Sequence, residues 1–377
     1  MAKKIYIDYA ATTPLDDDAL AAMQPYFSQK FYNPSANYLE ARQVRVDINE
    51  ARKKIAYWLG AKQSEIIFTA GGTEANNLAI NGILQKYPES EIVVSSIEHD
   101  SILQPAEKYG ATLVKVDKTG RLDLEDLKCK ITDKTVLVSV IYASSEIGTI
   151  QPIKEIAKLI KEIRQKRTTD LPIYLHTDAC QASNYLDLHA SRLGVDLMTV
   201  NGGKIYGPKQ SGFLFLKSGI TLSPQILGGG QERGLRSGTE NVPAIIGLST
   251  AFDKSQTIKS DESMRLGDLQ SYFIAQLELH IPRAIVNGSV KHRLPNNVHI
   301  TIPDSDNERL LFALDEAGIM AAAGSACSAS SQTPSHVLKA IGLSDKDARS
   351  SLRFSMGRQT KKSEVDQIIH TLKRVTS

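Results

Sequence analysis

The chain has 377 residues, 41% of them hydrophobic and 23% charged, which is ordinary globular composition and excludes a disordered chain. Lys and Arg exceed Asp and Glu by 45 − 42 = +3, too little for a nucleic-acid or membrane-surface footprint. The three cysteines, Cys129, Cys180 and Cys327, show no CxxC spacing, so neither a disulfide scaffold nor a zinc site is expected, and a reducing cytoplasm is the simplest compartment.

The opening MAKKIYIDYAATTP has no long apolar run, so no signal peptide is expected. No stretch approaches the roughly 18 apolar residues of a membrane span. Val44, Ile48, Ala51, Ile55, Trp58 and Leu59 recur at helical spacing, as do Ile153, Ile156, Ala157, Ile160 and Ile163. Between and around them, β-branched runs at 66–69, 92–94, 112–116, 135–140, 173–177 and 212–216 predict strands buried on both faces. Strands alternating with helices predict an α/β fold, a mostly parallel sheet flanked by helices. The alternation fades near residue 245, residues 255–279 read as a polar helical connection, and a smaller α+β unit follows from Ala284. The expected division is a large domain over 16–250 and a small one made of 1–15 with 251–377. Within the latter, GSACSASSQ (324–332) has no periodicity and reads as a mobile loop, with Cys327 in it.

Three segments carry chemistry. At Thr69-Ala-Gly-Gly-Thr73 a strand gives way to glycines and a helix start, where free N–H groups and the helix dipole suit a phosphate. An ordinary strand-to-helix turn has the same composition. Asp178 ends an apolar strand, where ligands bind in open α/β sheets, though a helix N-cap is its bland alternative. In Asn201-Gly-Gly-Lys-Ile-Tyr-Gly-Pro208, Lys204 is held among glycines, an odd place for a solvating side chain and a natural one for an amine that binds a carbonyl covalently. Phosphate cup, acid and lysine in this order are the set that pyridoxal phosphate requires.

With Tyr6-Ile-Asp-Tyr-Ala-Ala-Thr-Thr-Pro14, Asn33-Pro34-Ser35, Gly71-Gly-Thr-Glu74, Ser96-Ile-Glu-His99, Glu146-Ile-Gly148, GLRSGTEN (234–241), Gly324-Ser-Ala-Cys327 and Ser351-Leu-Arg-Phe354, the chain resembles the class V aminotransferases, fold-type I pyridoxal-phosphate enzymes. Within them it resembles the NifS/IscS-type cysteine desulfurases, nearly end to end. The resemblance implies a fold-type I architecture and the reaction of L-cysteine to L-alanine, with a persulfide formed on a catalytic cysteine at Cys327. It implies Lys204 as the cofactor-binding lysine and Asp178 as the partner of the pyridine nitrogen. His99 corresponds to the ring-stacking, proton-moving histidine and Gln181 to the side chain near the phenolic oxygen. Gly72 and Thr73 fall in the phosphate cup. Arg353 would bind the substrate carboxylate, for which a guanidinium is well suited. Asn33 lies in a segment that helps to bind substrate. Thr239 matches a threonine that reaches the phosphate of the neighbouring subunit, so a homodimer with shared sites is implied. Cys129 and Cys180 are expected to be packed cysteines.

The chain departs from the family pattern in places. Ser145 stands where the family has an asparagine contacting the cofactor. Asn201-Gly202-Gly203-Lys204 replaces Ser-Gly-His-Lys, so Gly203 offers no imidazole to the phosphate. Each lost contact costs about 1.5–3 kcal/mol, and weaker cofactor retention is expected. Asn37 and its neighbours replace the usual His and Gly after Asn-Pro-Ser. The sequence stops at Ser377 without the extended tail that helps to hold the scaffold protein in iron–sulfur members, so that partner is less expected, and a tRNA-thiolation enzyme or another sulfur acceptor is equally open. The alternatives are another class V enzyme, an aminotransferase or selenocysteine lyase, or a weakened duplicate that only relays sulfur.

Overall fold

The computed structural model describes residues 4–324 and 334–376, so Cys327 and most of the predicted 324–332 loop lie outside the described residues. Twelve strands are formed among the described residues: β1 Ile5–Tyr6, β2 Ile66–Thr69, β3 Glu91–Ser95, β4 Thr112–Val114, β5 Thr135–Ser139, β6 Tyr174–Asp178, β7 Leu197–Asn201, β8 Gly212–Leu216, β9 Ile285–Val286, β10 Asn297–Thr301, β11 Ile319–Met320 and β12 Ser351–Ser355. Seven make one sheet in the order β2-β8-β7-β6-β5-β3-β4. Only β8 runs against its neighbours β7 and β2; the rest pair in parallel. Consequently β2, β3, β5, β6 and β7 all end at the same edge. That edge is where an open α/β sheet offers backbone groups and loops to a ligand.

The sequence pattern reaches most of this. β7 was not predicted: Leu-Met-Thr-Val-Asn is a mixed run, and its place in the middle of the sheet comes from pairing with β6 and β8. The run at 112–116 forms a strand only to Val114, with Val116 left as an isolated bridge to Leu122. The helix Leu39–Leu59 buries Val44, Ile48, Ala51, Ile55 and Leu59 and is ended by Gly60 in the left-handed conformation, φ 59°. The helix Ile153–Lys166 buries Ile153, Ile156 and Ile160 against the sheet.

A separate core joins Ile5 and Ile7 to Val298, Ile300, Leu352 and Phe354. The predicted connection at 255–279 is not merely polar. It is the end of the helix Val242–Thr257 and most of the helix Lys259–His280, whose Leu266, Leu269, Phe273 and Leu277 enter that core. Cys129 corrects another expectation: on the short helix Leu124–Lys130 its side is turned to solvent, and it is exposed rather than packed.

One buried ion pair ties the sheet to the glycine-rich stretch before the helix Val242–Thr257. Arg52 donates to both oxygens of Glu232 at 2.7 Å, and Glu232 also accepts from Phe68 N at 3.0 Å. Removing the acid strands the guanidinium. Glu232→Ala is expected to cost about 3–5 kcal/mol of stability, read as a lower midpoint in chemical denaturation.

Candidate active site

At the common edge the strand ends surround a cavity. Gly72, Thr73, His99, Ser145, Asp178, Gln181, Asn201, Lys204 and Arg353 all line it. An adjoining cup shares Gly72, Thr73, Asn201 and Lys204 and adds Gly203 and Lys209. Asn33 and Thr239 are not in this lining; both are exposed, Asn33 closing a turn to Ser35 N at 2.9 Å.

Asp178 ends β6 and is 5% exposed. Its Oδ2 accepts from Asn76 Nδ2 at 2.8 Å and its Oδ1 from Cys180 N at 2.9 Å. Both donors are neutral, so the carboxylate charge is not spent on them. Two residues back along β6, His176 is fully enclosed, and burial lowers its pKa to about 4 against the pull of Asp178. It is held neutral between Ser139 Oγ at 2.8 Å and Thr199 Oγ1 at 3.1 Å.

His99 follows β3 and caps the helix Asp100–Glu107, its Nδ1 accepting from Ser101 N at 3.1 Å. Ser101 Oγ lies 2.8 Å from the same Nδ1 and itself accepts from Asn76 Nδ2 at 2.8 Å. Since Asn76 uses one hydrogen on Asp178 and one on Ser101, the serine hydroxyl donates to Nδ1. The proton of a neutral His99 is therefore assigned to Nε2. One buried asparagine thus sets the orientation of both an acid and an imidazole.

Lys204 follows β7 in a short 3₁₀ turn capped by Asn201, whose Oδ1 accepts from Gly203 N at 3.1 Å. Its Nζ donates to Ala10 O at 2.9 Å and Ala11 O at 2.6 Å. Gln181 Nε2 shares Ala10 O at 2.9 Å. The segment 8–13 is therefore a strap across the lysine. It is fastened by Thr13 Oγ1, which donates to Gly203 O at 3.1 Å and accepts from Tyr206 N at 2.7 Å.

Arg353, on β12, is 1% exposed. Its guanidinium donates to Asp8 Oδ1 at 2.7 Å and to Ser145 O at 3.1 Å. Among the described residues, Nε and the second hydrogen of each terminal nitrogen have no acceptor.

The wall behind His99 holds Glu98, whose carboxyl burial pushes well above its ordinary value; Oε1 accepts from Ile141 N at 2.5 Å, and Oε2 has no partner among the described residues. Cys180 lines the cavity, and burial, then Asp178, pushes its thiol well up.

The residues present fit pyridoxal phosphate. Gly71, at φ 135°, precedes the helix Gly72–Lys86, and nothing lies within 4 Å of the place a Cβ would take there, so the helix N-terminus opens onto free space. Asn201 Nδ2 stands 3.6 Å from the corresponding point on Gly72, beside those amides. A lysine, an acceptor carboxylate and an anion cup bound one continuous space.

Sequence reasoning missed Asn76, Ser101 and Asp8. Asn76 could have been found, because it lies one helical turn after Gly72 and so faces the same side. Asp8, a carboxylate beside the apolar start of the chain, was a signal of the same kind. Ser101 carries no such mark.

The family model described as aminotransferase class-V matches residues 5–368. A curated relative, "Cysteine desulfurase IscS" of Dictyoglomus turgidum, is 41% identical over 382 residues, covering 100% of this chain and 95% of that protein. A solved "NifS-like protein" superposes with a TM-score of 0.91 at 28% identity, covering 99% of each chain. Another, described as "SspA in complex with cysteine", gives 0.78 at 33% identity, covering 94% of this chain and 99% of that one.

Proposed function

The chain belongs to the aminotransferase class-V family and is a pyridoxal-phosphate-dependent cysteine desulfurase, and from that premise we propose that Lys204, Asp178, His99, Arg353 and Cys327 divide the reaction among them. The observation that carries the assignment is the convergence of Lys204, Asp178, His99 and Arg353 on one cavity.

When bound, the cofactor supplies an electron sink beside the substrate Cα. Lys204 would hold it covalently, Asp178 would pair with its ring nitrogen, and Gly72, Thr73 and Asn201 would hold its phosphate. Ser145 and Gln181 line the same cavity and would face its phenolic oxygen. Arg353 binds the carboxylate of L-cysteine and fixes the direction in which Cα points. The Lys204 amine would take the Cα proton. His99, with its proton on Nε2, would move protons to and from the substrate. The thiolate of Cys327 attacks the substrate sulfur: an S–S bond forms, the substrate Cβ–S bond breaks, and the electron pair left on carbon is protonated. L-Cysteine and a thiol become L-alanine and a persulfide on Cys327.

The working form is read as a homodimer. Thr239, exposed and away from its own cavity, would reach the phosphate held by the neighbouring subunit, and Asn33 is read with the substrate-binding segment. The persulfide passes to an acceptor protein, an iron–sulfur scaffold or a tRNA-thiolation enzyme, in a reducing cytoplasm. Among the described residues no helix is long and apolar enough to cross a membrane.

The test is alanine formation from L-cysteine and a reductant by protein loaded with pyridoxal phosphate. No alanine, from protein that holds the cofactor, would sink the assignment. A finer check falls on Arg353. Arg353→Gln is expected to raise the KM for L-cysteine roughly 10–100-fold, the loss of hydrogen bonds to a charged group, with a smaller change in kcat. A KM that does not move would take the carboxylate away from Arg353.

A further inference from the structure

The cup beside the cavity has a charge problem that the residues named so far do not solve. A phosphate ester brings up to two negative charges. Helix N-terminal amides at Gly72 and Thr73 and the Asn201 amide offer dipoles. Two cationic side chains line the cup, Lys204 and Lys209, with one acid, Glu74. Lys204 is engaged with the cofactor's carbon end. Glu74 is matched by Arg236, which donates to its two oxygens at 2.8 and 3.3 Å. That leaves Lys209 as the uncommitted charge. Its Nζ donates to a neutral group, Thr13 O, at 3.1 Å, and among the described residues it meets no carboxylate.

The position of Lys209 relative to Gly203 makes the assignment specific. Gly203 is buried and has no side chain to offer the cup. A Cβ built there would meet only Asn201 Oδ1 at 3.7 Å and Lys209 Cγ at 3.9 Å within 4 Å. The stem of Lys209 therefore borders the space that a side chain at 203 would enter. Thr13, which anchors the Lys209 ammonium, is also bonded to Gly203 O through Oγ1. Lysine and glycine border one corner of the cup, and Thr13, buried, is bonded to both.

Resting on the pyridoxal-phosphate reading, we infer that Lys209 supplies the cationic contact to the cofactor phosphate at the corner that Gly203 leaves empty. The weaker retention expected from Gly203 alone is then offset by a side chain from outside the lysine turn.

The experiment uses cofactor-depleted full-length protein and two probes, pyridoxal phosphate and pyridoxal, which lacks the phosphate. Dissociation constants are measured by equilibrium dialysis for the parent, Lys209→Gln, Lys209→Arg, Gly203→His and the double variant Lys209→Gln/Gly203→His. Lys209→Gln should weaken pyridoxal phosphate about tenfold, near the lower end for a hydrogen bond to a charged group because the lysine is exposed. Its effect on pyridoxal should stay within about twofold, and Lys209→Arg should bind like the parent. In the Gly203→His background the same Gln substitution should cost clearly less, since the imidazole fills the corner. Equal losses for both probes would make Lys209 a mere tie to Thr13 and overturn the inference. So would a Lys209→Gln variant that binds pyridoxal phosphate as tightly as the parent. A parent that binds neither probe would overturn the cofactor reading itself, an outcome separate from either of those.

Discussion

Cys327→Ser should keep its cofactor and lose alanine formation from L-cysteine by roughly 10³-fold or more, the scale of removing a covalent nucleophile. An alkoxide cannot be generated at neutral pH as a thiolate can, and an O–S adduct does not carry sulfur onward. The other cysteines serve as internal controls. Cys129 is exposed on a helix and absent from the cavity lining. Cys180 does line the cavity, but burial and the Asp178 carboxylate push its thiol well up, so it stays protonated and unreactive. Cys129→Ser and Cys180→Ser should therefore retain persulfide formation, detected by labelling with a thiol-specific alkylating agent and mass measurement. Cys327 lies outside the described residues, but the chain on either side of that segment is tied to the cavity wall. Ala322 pairs with Arg353, whose N donates to Ala322 O at 2.6 Å. Ser335 Oγ donates to Glu146 Oε2 at 2.6 Å, and His336 Nε2 lies 2.9 Å from Glu98 O, next to His99. If Cys327→Ser makes alanine as fast as the parent, the thiol is out of the mechanism and the enzyme is a lyase that releases sulfur directly.

What could be read before the structure, and what could not, divides along a physical line. Asp178 and the Gly72-Thr73 turn announce themselves because each ends or follows an apolar strand, and strand ends in such a sheet meet at one edge, while Lys204 stands out by the glycines around it. Residue type and position relative to a strand are local facts. The partners that make these groups useful are not local. Asn76 reaches Asp178 from 102 residues away and Arg353 reaches Asp8 across 345. The carbonyls of Ala10 and Ala11 carry no side-chain signal at all, yet they receive the Lys204 amine. The strand β7 was hidden for a related reason: its regularity comes from the neighbours on both sides, not from its own five residues. Cys129 shows the converse error, a hydrophobic habit assigned to a residue whose helix presents it to water.

That strap at residues 8–13 gives the second large prediction its detail. Lys204→Ala should lower the rate of alanine formation by roughly 10²–10⁴-fold for the lost proton transfer alone. The covalent hold on the cofactor goes with it. Borohydride, which fixes pyridoxal phosphate to an amine of the parent, should leave none on the variant. Binding itself should survive in weakened form, since Asp178, the helix N-terminus at Gly72 and the Asn201 amide are untouched. The strap should survive as well. Ala10 O keeps Gln181 as a donor, and Thr13 keeps its bonds to Gly203 and Tyr206, so of the two carbonyls Ala11 O is the one left without a side-chain donor. A variant that unfolds would instead mean that the two lysine–carbonyl bonds hold the strap down, and thermal unfolding alongside the kinetics distinguishes the cases. Lys204→Arg sharpens the point. A guanidinium can still donate to Ala10 O and Ala11 O and keep the strap in place, but it stays charged and cannot take the Cα proton. It should be as stable as the parent and as inactive as Lys204→Ala. Appreciable turnover by Lys204→Arg would mean that another group takes the proton, and His99, whose Nδ1 is occupied by Ser101, would be the first to examine.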